Sequence, residues 1–297
     1  MSKSLILIAA TALSQWREWA QAQAIAADIS LGEINWFLQA LTSITALDLK
    51  LGINRDVHSQ VSLTELKNLW QQRVEQRVPV QYLVGKTPWR NFELIVTPSV
   101  LIPRPETEYL IDLALEATDQ NPALATGHWV DLGTGSGAIA LSLVEQFPNA
   151  TIHAVDRSAA ALDIARKNAK AYGMSDQIQF YQGSWWEPLQ EMQGKMSAML
   201  ANPPYIPSDL LPDLQTEVFC HEPHSALDGG EDGLSDIRIL VSEAPNFLIS
   251  GGIWLIELMK GQGQVVAQLL SQNGNYNNIQ VVDDFSGCDR YVLAKRR

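Results

Sequence analysis

The chain is poor in cysteine and histidine, the residues that most often build redox and metal sites. Its 297 residues include only two cysteines, Cys220 and Cys288, and five histidines. The cysteines are far apart and match no metal or redox spacing, so we expect reduced thiols in a cytoplasmic protein. The segment His221-Glu222-Pro223-His224 places a proline between its two histidines and has no evident third ligand. We therefore expect no metal.

Positive charge is also scarce. There are 21 lysines and arginines against 33 aspartates and glutamates, which gives a formal net charge of −12. The single basic cluster is Lys295-Arg296-Arg297 at the C-terminus, which is typical of a solvated tail. Tight, salt-sensitive binding of duplex DNA or bulk RNA needs a basic face. The sequence thus predicts no direct nucleic-acid binding.

No apolar run is long enough to span a bilayer. The longest candidate, Leu5 to Leu13, follows Lys3 and looks like the core of a signal peptide. However, apolar residues continue at Trp16 and Trp19 with polar residues between them, which is the pattern of an amphipathic helix. We expect a helix here and no membrane segment.

The length and the hydropathy pattern predict two domains and a linker. Residues 3–78 show helical spacing throughout, which indicates a small all-helical domain over 1–78. Two expected strands, Tyr82–Gly85 and Phe92–Val96, flank Lys86-Thr87-Pro88-Trp89 and predict a β-hairpin linker over 79–104. The remainder, 105–297, forms the second domain.

Strand and helix patterns alternate in the second domain, which is typical of a doubly wound α/β sheet. The chain ends with two expected strands around Ser286-Gly287-Cys288, which predict an antiparallel hairpin that closes the sheet. Strands are expected near 128–133, 151–156, 178–182, 196–201, 252–258, 279–285 and 289–294, and helices near 106–118, 137–147, 158–172, 235–249 and 262–272.

A glycine-rich segment follows the first strand of this domain and opens a helix, where a nucleotide-binding loop belongs. Gly133, Gly135 and Ala138 satisfy the dinucleotide pattern G-x-G-x-x-A, and Asp156 ends the second strand at a suitable distance to hold a ribose diol. A nicotinamide-dependent enzyme is therefore one interpretation of this loop. The alternative cofactor is S-adenosylmethionine.

Two details, Asp131 and a tetrapeptide after the fourth strand, favour S-adenosylmethionine. Asp131, two residues before the first glycine, can accept hydrogen bonds from an ammonium group, directly or through water, whereas a pyrophosphate would be repelled. Trp185, after the third strand, offers a ring face to a purine, and Trp186 is expected to pack in the core. The predicted cofactor-binding residues are Asp131, Gly133, Thr134, Gly135, Ser136, Gly137, Asp156, Trp185 and Asn202.

The second detail is the tetrapeptide Asn202-Pro203-Pro204-Tyr205 after the fourth strand, which has no role in hydride transfer. The two prolines stiffen the loop, so the Asn202 side chain and the Pro203 carbonyl are fixed acceptors for the two hydrogens of an –NH2 group. The flat ring of Tyr205 suits a planar amide or an aromatic amine. We predict catalytic roles for Asn202, Pro203 and Tyr205, and substrate contacts from these three and Pro204.

Together these residues resemble the protein-glutamine methyltransferase family that modifies peptide chain release factors. The resemblance runs from Pro79 to Arg297. It includes Pro79 to Gly85, Leu101 to Glu108, Asp131 to Ala138, Asn202 to Ile206, Glu222-Pro223 with Ala226 to Leu234, and Asp289-Arg290.

The resemblance implies a Rossmann-like, seven-stranded class I methyltransferase domain that uses S-adenosylmethionine. It also implies methyl transfer to the glutamine side-chain amide of the Gly-Gly-Gln motif, with residues 1–78 helping to recognise the release factor. Adenine and guanine amino-methyltransferases of RNA and DNA share the Asn202 tetrapeptide, so a nucleic-acid substrate is the alternative. A scaffold without turnover would show damage to the glycine loop or to the tetrapeptide, and neither is damaged. Arg104 is expected to tie the linker to the active-site loop.

Overall fold

The computed structural model describes residues 5–119 and 121–297. The chain divides into two compact units, one running to Gly85 and also including Thr216–His221, the other comprising Lys86–Gln215 and Glu222–Arg297. The domain limits predicted from the sequence did not include the short segment Thr216–His221, and they stay predictions. No helix in the described ranges is both long and apolar enough to cross a membrane.

The N-terminal unit is mostly helical but contains one small sheet. Trp16, Phe37 and Trp70 meet in its core, where Trp16 and Phe37 stack at 6.0 Å between ring centroids and Phe37 lies 5.5 Å from Trp70. Trp70 Nε1 donates to the carbonyl of Ala20. In chain order the elements up to Gly85 are β1 (Ile6–Ile8), α1 (Ala10–Ala26), α2 (Leu31–Leu41), α3 (Ala46–Leu51), β2 (Val57–Ser59), α4 (Leu63–Glu75) and α5 (Val80–Val84).

The prediction of helix throughout residues 3–78 was wrong at two places. Strands β1 and β2 pair antiparallel, with Ile8 opposite Val57, and both of these side chains are buried. Helix α1 begins only at Ala10, because its first amide donates to the Asp56 carboxylate beside β2 at 3.0 Å. Lys3, which entered the signal-peptide comparison, lies outside the described residues.

The first strand of the hairpin begins four residues later than predicted, at Lys86 instead of Tyr82. Strands β3 (Lys86–Trp89) and β4 (Phe92–Ile95) pair antiparallel. The expected strand Tyr82–Gly85 was wrong: α5 covers most of it, because the Pro79 carbonyl accepts from the Tyr82 and Leu83 amides. Gly85 ends that helix with a left-handed φ of 80°.

The second unit contains a seven-stranded sheet in the order β10-β11-β9-β8-β5-β6-β7 over the described residues. β5 to β9 are parallel, and β11 pairs antiparallel with both β9 and β10. The predicted fold class is confirmed. The remaining α-helices and β-strands in chain order are α6 (Tyr109–Asp119), β5 (His128–Leu132), α7 (Ala138–Gln146), β6 (Thr151–Asp156), α8 (Ala159–Ala171), β7 (Ile178–Gln182), β8 (Met196–Ala201), α9 (Thr216–His221), α10 (Ser235–Phe247), β9 (Leu248–Glu257), α11 (Gly263–Asn273), β10 (Tyr276–Asp283) and β11 (Asp289–Arg296). Of these, α9 belongs to the N-terminal unit.

The strand order reverses between β5 and β8. From β5 the chain moves outward through β6 and β7, then returns to place β8 and β9 on the other side of β5. In such sheets the ligand crevice opens at the carboxyl ends of the strands beside this reversal. All six residues of β8 are buried, as expected for a central parallel strand covered on both faces. The ends of β5 and β8 are therefore where a ligand site is expected.

A buried arginine joins three helices of the N-terminal unit. Arg73 on α4 donates to both carboxylate oxygens of Glu33 on α2, at 2.6 and 3.0 Å, and to Glu217 on α9 at 2.8 Å. Its side chain is only 6% exposed. Arg77 also pairs with Glu217, at 2.9 Å. The arginine charge is thus compensated by two carboxylates, as a buried charge requires.

Replacing Arg73 should destabilise the protein far more than replacing an exposed arginine. Arg73→Ala leaves Glu33 and Glu217 without their shared partner, and we expect a loss of about 3 kcal/mol in unfolding free energy. The matched control is Arg166→Ala, whose partner Asp163 is 68% exposed and for which we expect less than about 1 kcal/mol. Urea denaturation monitored by tryptophan fluorescence measures both. Equal shifts in the two variants would contradict the structural role of Arg73.

Candidate active site at the carboxyl edge of the sheet

A cleft opens at the carboxyl ends of β5, β6, β7 and β8. The loop after each of these four strands contributes to its wall, which is the arrangement expected beside the reversal of strand order. Further walls come from Ser99 to Leu101, Pro103, Thr107, and the segment around Pro223 and Ser225. The predicted site residues that line it are Gly133, Thr134, Gly135, Ser136, Asp156, Trp185, Asn202 and Pro204.

The glycine loop after β5 is held by its own backbone and by Asp156. Gly133, Gly135 and Gly137 have φ of 81°, 53° and 84°, which side chains other than glycine rarely adopt. The Gly135 amide donates to Asp156 Oδ2 at 2.9 Å. A Cβ on Gly137 would lie 3.2 Å from Ala165 Cβ, so this glycine also allows α7 to approach α8 closely. Gly137 thus shapes the loop without lining the cleft.

Asp131 lies behind the glycine loop and is fully buried. Its Oδ2 accepts from Thr134 Oγ1 at 2.6 Å and from the Ala140 amide at 3.1 Å. Within residues 5–119 and 121–297, its Oδ1 has no hydrogen-bond partner. Burial, opposed by these two hydrogen bonds, raises the pKa of Asp131 to about 7. One carboxylate oxygen therefore anchors the loop, and the other remains a buried acceptor.

Trp185 is held in an unusual conformation over the glycine loop. Its φ is 49°, a strained value for a bulky residue. Its Nε1 donates to Asp236 Oδ1 at 3.0 Å, and its ring edge lies 3.5 Å from where a Cβ on Gly133 would stand. Trp186 is fully buried and stacks on Phe247 at 4.5 Å, which confirms the packing role expected for it. The ring of Trp185 is thus fixed at the cleft.

The Asn202 tetrapeptide leaves β8 and is tied to the neighbouring strand. Asn202 Nδ2 donates to Thr107 Oγ1 at 3.0 Å. Thr107 Oγ1 donates to Glu257 Oε2 at 2.6 Å, and the Tyr205 hydroxyl donates to Glu257 Oε1 at 3.0 Å. Burial raises the pKa of Glu257, against the effect of these hydrogen bonds and of Arg290. Pro203 is buried and, like Tyr205, does not line the cleft.

A glycine-rich segment supports the Tyr205 backbone from behind. Gln262 Nε2 donates to the Tyr205 carbonyl at 3.0 Å. Gly233 has a φ of 74°, and a Cβ there would overlap the Tyr205 carbonyl oxygen and come within 2.7 Å of Gln262 Nε2. The Ile206 amide donates to the Leu227 carbonyl at 3.0 Å. The loop after Asn202 is therefore fixed by close backbone packing as well as by its prolines.

Arg104 and Glu222 join two walls of the cleft. Arg104 Nη2 donates to Glu222 Oε1 at 2.6 Å, and the Ile102 amide donates to Glu222 Oε2 at 3.3 Å. The Glu222 side chain is only 1% exposed, and burial raises its pKa against the effect of Arg104. This confirms the expectation that Arg104 ties the linker to the active-site loop. The described residues contain no group of three or more His, Cys, Asp or Glu side chains placed to hold a metal ion.

Comparison with curated proteins identifies the family of this chain. A release factor glutamine methyltransferase of Synechocystis sp. is 47% identical over 285 residues, which cover 95% of each protein. Another, from Thermosynechococcus vestitus, is 45% identical and covers 96% of this chain and 98% of the relative. The chain belongs to the release factor glutamine methyltransferase family. The family model "Methyltransferase small domain" matches residues 111–231.

Solved structures with a similar fold are methyltransferases of low sequence identity. The hMettl16 catalytic domain in complex with MAT2A 3'UTR hairpin 6 is 13% identical, has a TM-score of 0.54, and covers 87% of this chain and 88% of that chain. A methyltransferase from Pyrococcus furiosus is 16% identical, has a TM-score of 0.50, and covers 80% and 98%. At these identities the likeness shows the fold alone, which is that of a class I methyltransferase.

For this family member, reasoning from the sequence missed the residues that hold the predicted site in place. Thr107 and Glu257 support Asn202 and Tyr205, and Asp236 holds Trp185. A signal for Glu257 was available, because the carboxyl ends of neighbouring parallel strands lie side by side. Ala201 and Ile256 are register partners, so the residues that follow them, Asn202 and Glu257, come together. Their separation of 55 positions hid this in the sequence.

The buried Asp131 predicts a pH-dependent difference between the wild type and Asp131→Asn. A carboxyl whose folded pKa is raised from 3.8 to about 7 favours folding fully below its unfolded pKa, and this contribution is lost as pH rises through 7. The asparagine variant has no such loss. Its unfolding free energy relative to wild type should therefore rise between pH 4 and pH 8, by up to about 1.4 kcal/mol per pKa unit. Urea midpoints at several pH values test this, and a constant difference would contradict it.

Gly233 should be far less tolerant of a side chain than another glycine with the same backbone conformation. Gly233 and Gly274 have φ of 74° and 77°, so an alanine at either position carries the penalty of a left-handed backbone, about 1–2 kcal/mol. A Cβ at Gly274 has no described heavy atom within 4 Å, whereas at Gly233 it displaces the Tyr205 carbonyl. We expect a clearly lower unfolding temperature for Gly233→Ala by calorimetry. Equal temperatures for the two variants would argue against the close packing described.

Proposed function

We propose that this chain methylates the side-chain amide nitrogen of the glutamine in the Gly-Gly-Gln motif of peptide chain release factors. The observation that carries this proposal is the presence of Asn202 and the glycine loop in one cleft of a chain 47% identical to a release factor glutamine methyltransferase. S-adenosylmethionine is the cofactor. When bound, it supplies an electrophilic methyl group on a positively charged sulfur.

The described residues fit this cofactor. Gly133 and Gly135 line the cleft with left-handed φ and no Cβ, so a ligand can approach the backbone there. Asp156 also lines the cleft, and each of its oxygens accepts one backbone amide, which leaves lone pairs for a ribose diol. Asp131 Oδ1 is a buried acceptor without a partner in the described part of the chain. We assign it the ammonium group, through a water molecule because Asp131 lies behind the loop.

Asn202 and the Pro203 carbonyl would hold the glutamine amide. An amide nitrogen is a weak nucleophile because its lone pair is delocalised into the carbonyl, so the enzyme has to supply position and electrostatic stabilisation. Two acceptors on the N–H bonds aim the nitrogen and bind more strongly as positive charge develops on it. Pro204, which lines the cleft, would pack against the amide plane. Tyr205, which does not line the cleft, would hold this loop through its hydrogen bond to Glu257. Trp185 would stack on the adenine ring.

We further infer that the substrate is a protein, that residues 1–78 help to recognise it, and that the reaction takes place in the cytoplasm. The net charge of −12 opposes the phosphate backbone of RNA or DNA. The similarity to hMettl16 carries no substrate information, because it is a similarity of fold. Labelled S-adenosylmethionine offered separately with release factor, tRNA and DNA tests the proposal. Label on the release factor glutamine supports it, and label on either nucleic acid alone overturns it.

Loss of the Asn202 side chain should reduce turnover strongly and leave cofactor binding largely intact. Asn202→Ala removes one acceptor from the developing positive charge, which we expect to cost about 2.7–4 kcal/mol, or two orders of magnitude or more in kcat. Asn202→Asp is the matched variant, because it keeps the shape and changes only the charge and the hydrogen-bond donor. Turnover is measured with saturating Gly-Gly-Gln substrate, and cofactor affinity by calorimetry. Wild-type turnover in Asn202→Ala would remove this residue from the mechanism.

A further inference from the structure

A buried hydrogen-bond relay connects β9 to the substrate-facing side chain of Asn202. Glu257, only 1% exposed, ends β9. Both of its oxygens are engaged by hydroxyl groups, Oε2 by Thr107 and Oε1 by Tyr205. Thr107, itself 4% exposed, in turn accepts from Asn202 Nδ2. Two residues of the tetrapeptide thus depend on one carboxylate.

The direction of each hydrogen bond in this relay follows from counting protons. A hydroxyl has one proton, and an ionised carboxylate only accepts. The protons of Thr107 and Tyr205 therefore both point to Glu257. With its proton used, Thr107 Oγ1 can only accept, so Asn202 has to turn its –NH2 group toward it. The Asn202 carbonyl oxygen Oδ1 is then left for another donor, and none of the described residues supplies one.

We propose that Glu257 and Thr107 are positioning residues that fix the orientation of the Asn202 amide, so that its acceptor Oδ1 always faces the substrate. This inference rests on the proposed function and adds to it a reason for the orientation. An asparagine amide turned by 180° would present Nδ2, a donor, to the –NH2 group of the substrate. Two donors would then face each other, and the glutamine nitrogen would be neither held nor polarised.

Burial raises the pKa of Glu257, and the charges near it act in opposite directions. Arg290 on β11 contributes a positive charge, although it is also paired with Asp284 at 2.8 Å. Glu106 contributes a negative charge. Tyr291 is the register partner of Glu257, and its hydroxyl donates to the Glu106 carbonyl. The two hydroxyl donors are therefore needed to stabilise the carboxylate. The carboxylate in turn fixes the direction in which the two hydroxyl protons point.

Substitutions at Thr107 and Glu257 test the relay in the full-length enzyme. Thr107→Val keeps the shape and removes the acceptor for Asn202, whereas Thr107→Ser restores it. In Glu257→Gln the side chain has one –NH2 group and one carbonyl oxygen. In either orientation its –NH2 group faces the hydroxyl of Thr107 or that of Tyr205, and that hydroxyl has to accept instead of donate. Glu116→Gln is the matched control, because Glu116 is exposed on α6, the helix that follows Thr107.

We expect kcat to fall about tenfold in Thr107→Val, as for the loss of a buried hydrogen bond. In Glu257→Gln we expect a smaller fall, because the –NH2 group can turn toward Tyr205 and leave the hydrogen bond from Thr107 intact. Cofactor affinity and the KM for a Gly-Gly-Gln substrate should change by about twofold or less. Thr107→Ser and Glu116→Gln should stay within about threefold of the wild-type kcat. Wild-type turnover in Thr107→Val, or no recovery in Thr107→Ser, would overturn the proposal.

A second measurement needs no substrate and keeps this inference separate from the proposed function. The side-chain ¹⁵N–H2 signals of Asn202, assigned by their loss in Asn202→Ala, should exchange with water slowly in the wild type and in Thr107→Ser. Exchange should be at least about tenfold faster in Thr107→Val, because the acceptor of Nδ2 is gone. Equal exchange would overturn the relay even if the enzyme methylates release factors. An enzyme that shows the relay but does not methylate release factors would instead disprove the proposed function.

Discussion

The buried carboxylate of Glu257 is the group on which the geometry of the site depends. An ionised carboxylate without partners would be strongly unfavourable in this interior, so the fold provides two hydroxyl donors and the charge of Arg290. The position of the acid is set by the sheet, because the pairing of Ala201 with Ile256 brings the ends of β8 and β9 together. The sheet register therefore determines where the acid lies, and the acid determines how Asn202 is turned.

The loop that contains Asn202 is rigid for reasons that add to this relay. Its two prolines restrict the backbone, Gln262 holds the Tyr205 carbonyl, and Gly233 lets a second backbone segment pack directly against that carbonyl. Rigid acceptors need no reorganisation when charge develops on a substrate, which is the condition for electrostatic catalysis. The glycine-rich segment therefore has to keep this conformation for the loop after Asn202 to stay in place.

The sequence predicts the parallel strands of the sheet and the helices between them because long hydrophobic patterns report burial directly. It does not predict β1 and β2, since three-residue strands are too short to establish a period of two. It places Asp156 and Asn202 correctly at strand ends, but it does not reveal the partners of Thr107 and Glu257. Those two residues are 150 positions apart, and only the folded sheet brings them together. The left-handed Trp185 is equally a product of tertiary contacts, through Asp236.

The buried acids at the edge of the sheet favour S-adenosylmethionine over a dinucleotide as the ligand of the glycine loop. Asp131 on β5, Asp156 at the end of β6 and Glu257 at the end of β9 place three carboxyl groups along the carboxyl edge of one sheet, and burial raises the pKa of each. A dinucleotide would bring two phosphate charges toward acids whose ionised form burial already disfavours, which is unfavourable at short range. A cofactor with a positive sulfur and an ammonium group brings the opposite charge. Methyl transfer would move this positive charge from the sulfur to the substrate nitrogen within the same cleft. The acidic edge therefore suits both the bound cofactor and the transition state, which a glycine pattern alone could not distinguish from dinucleotide binding.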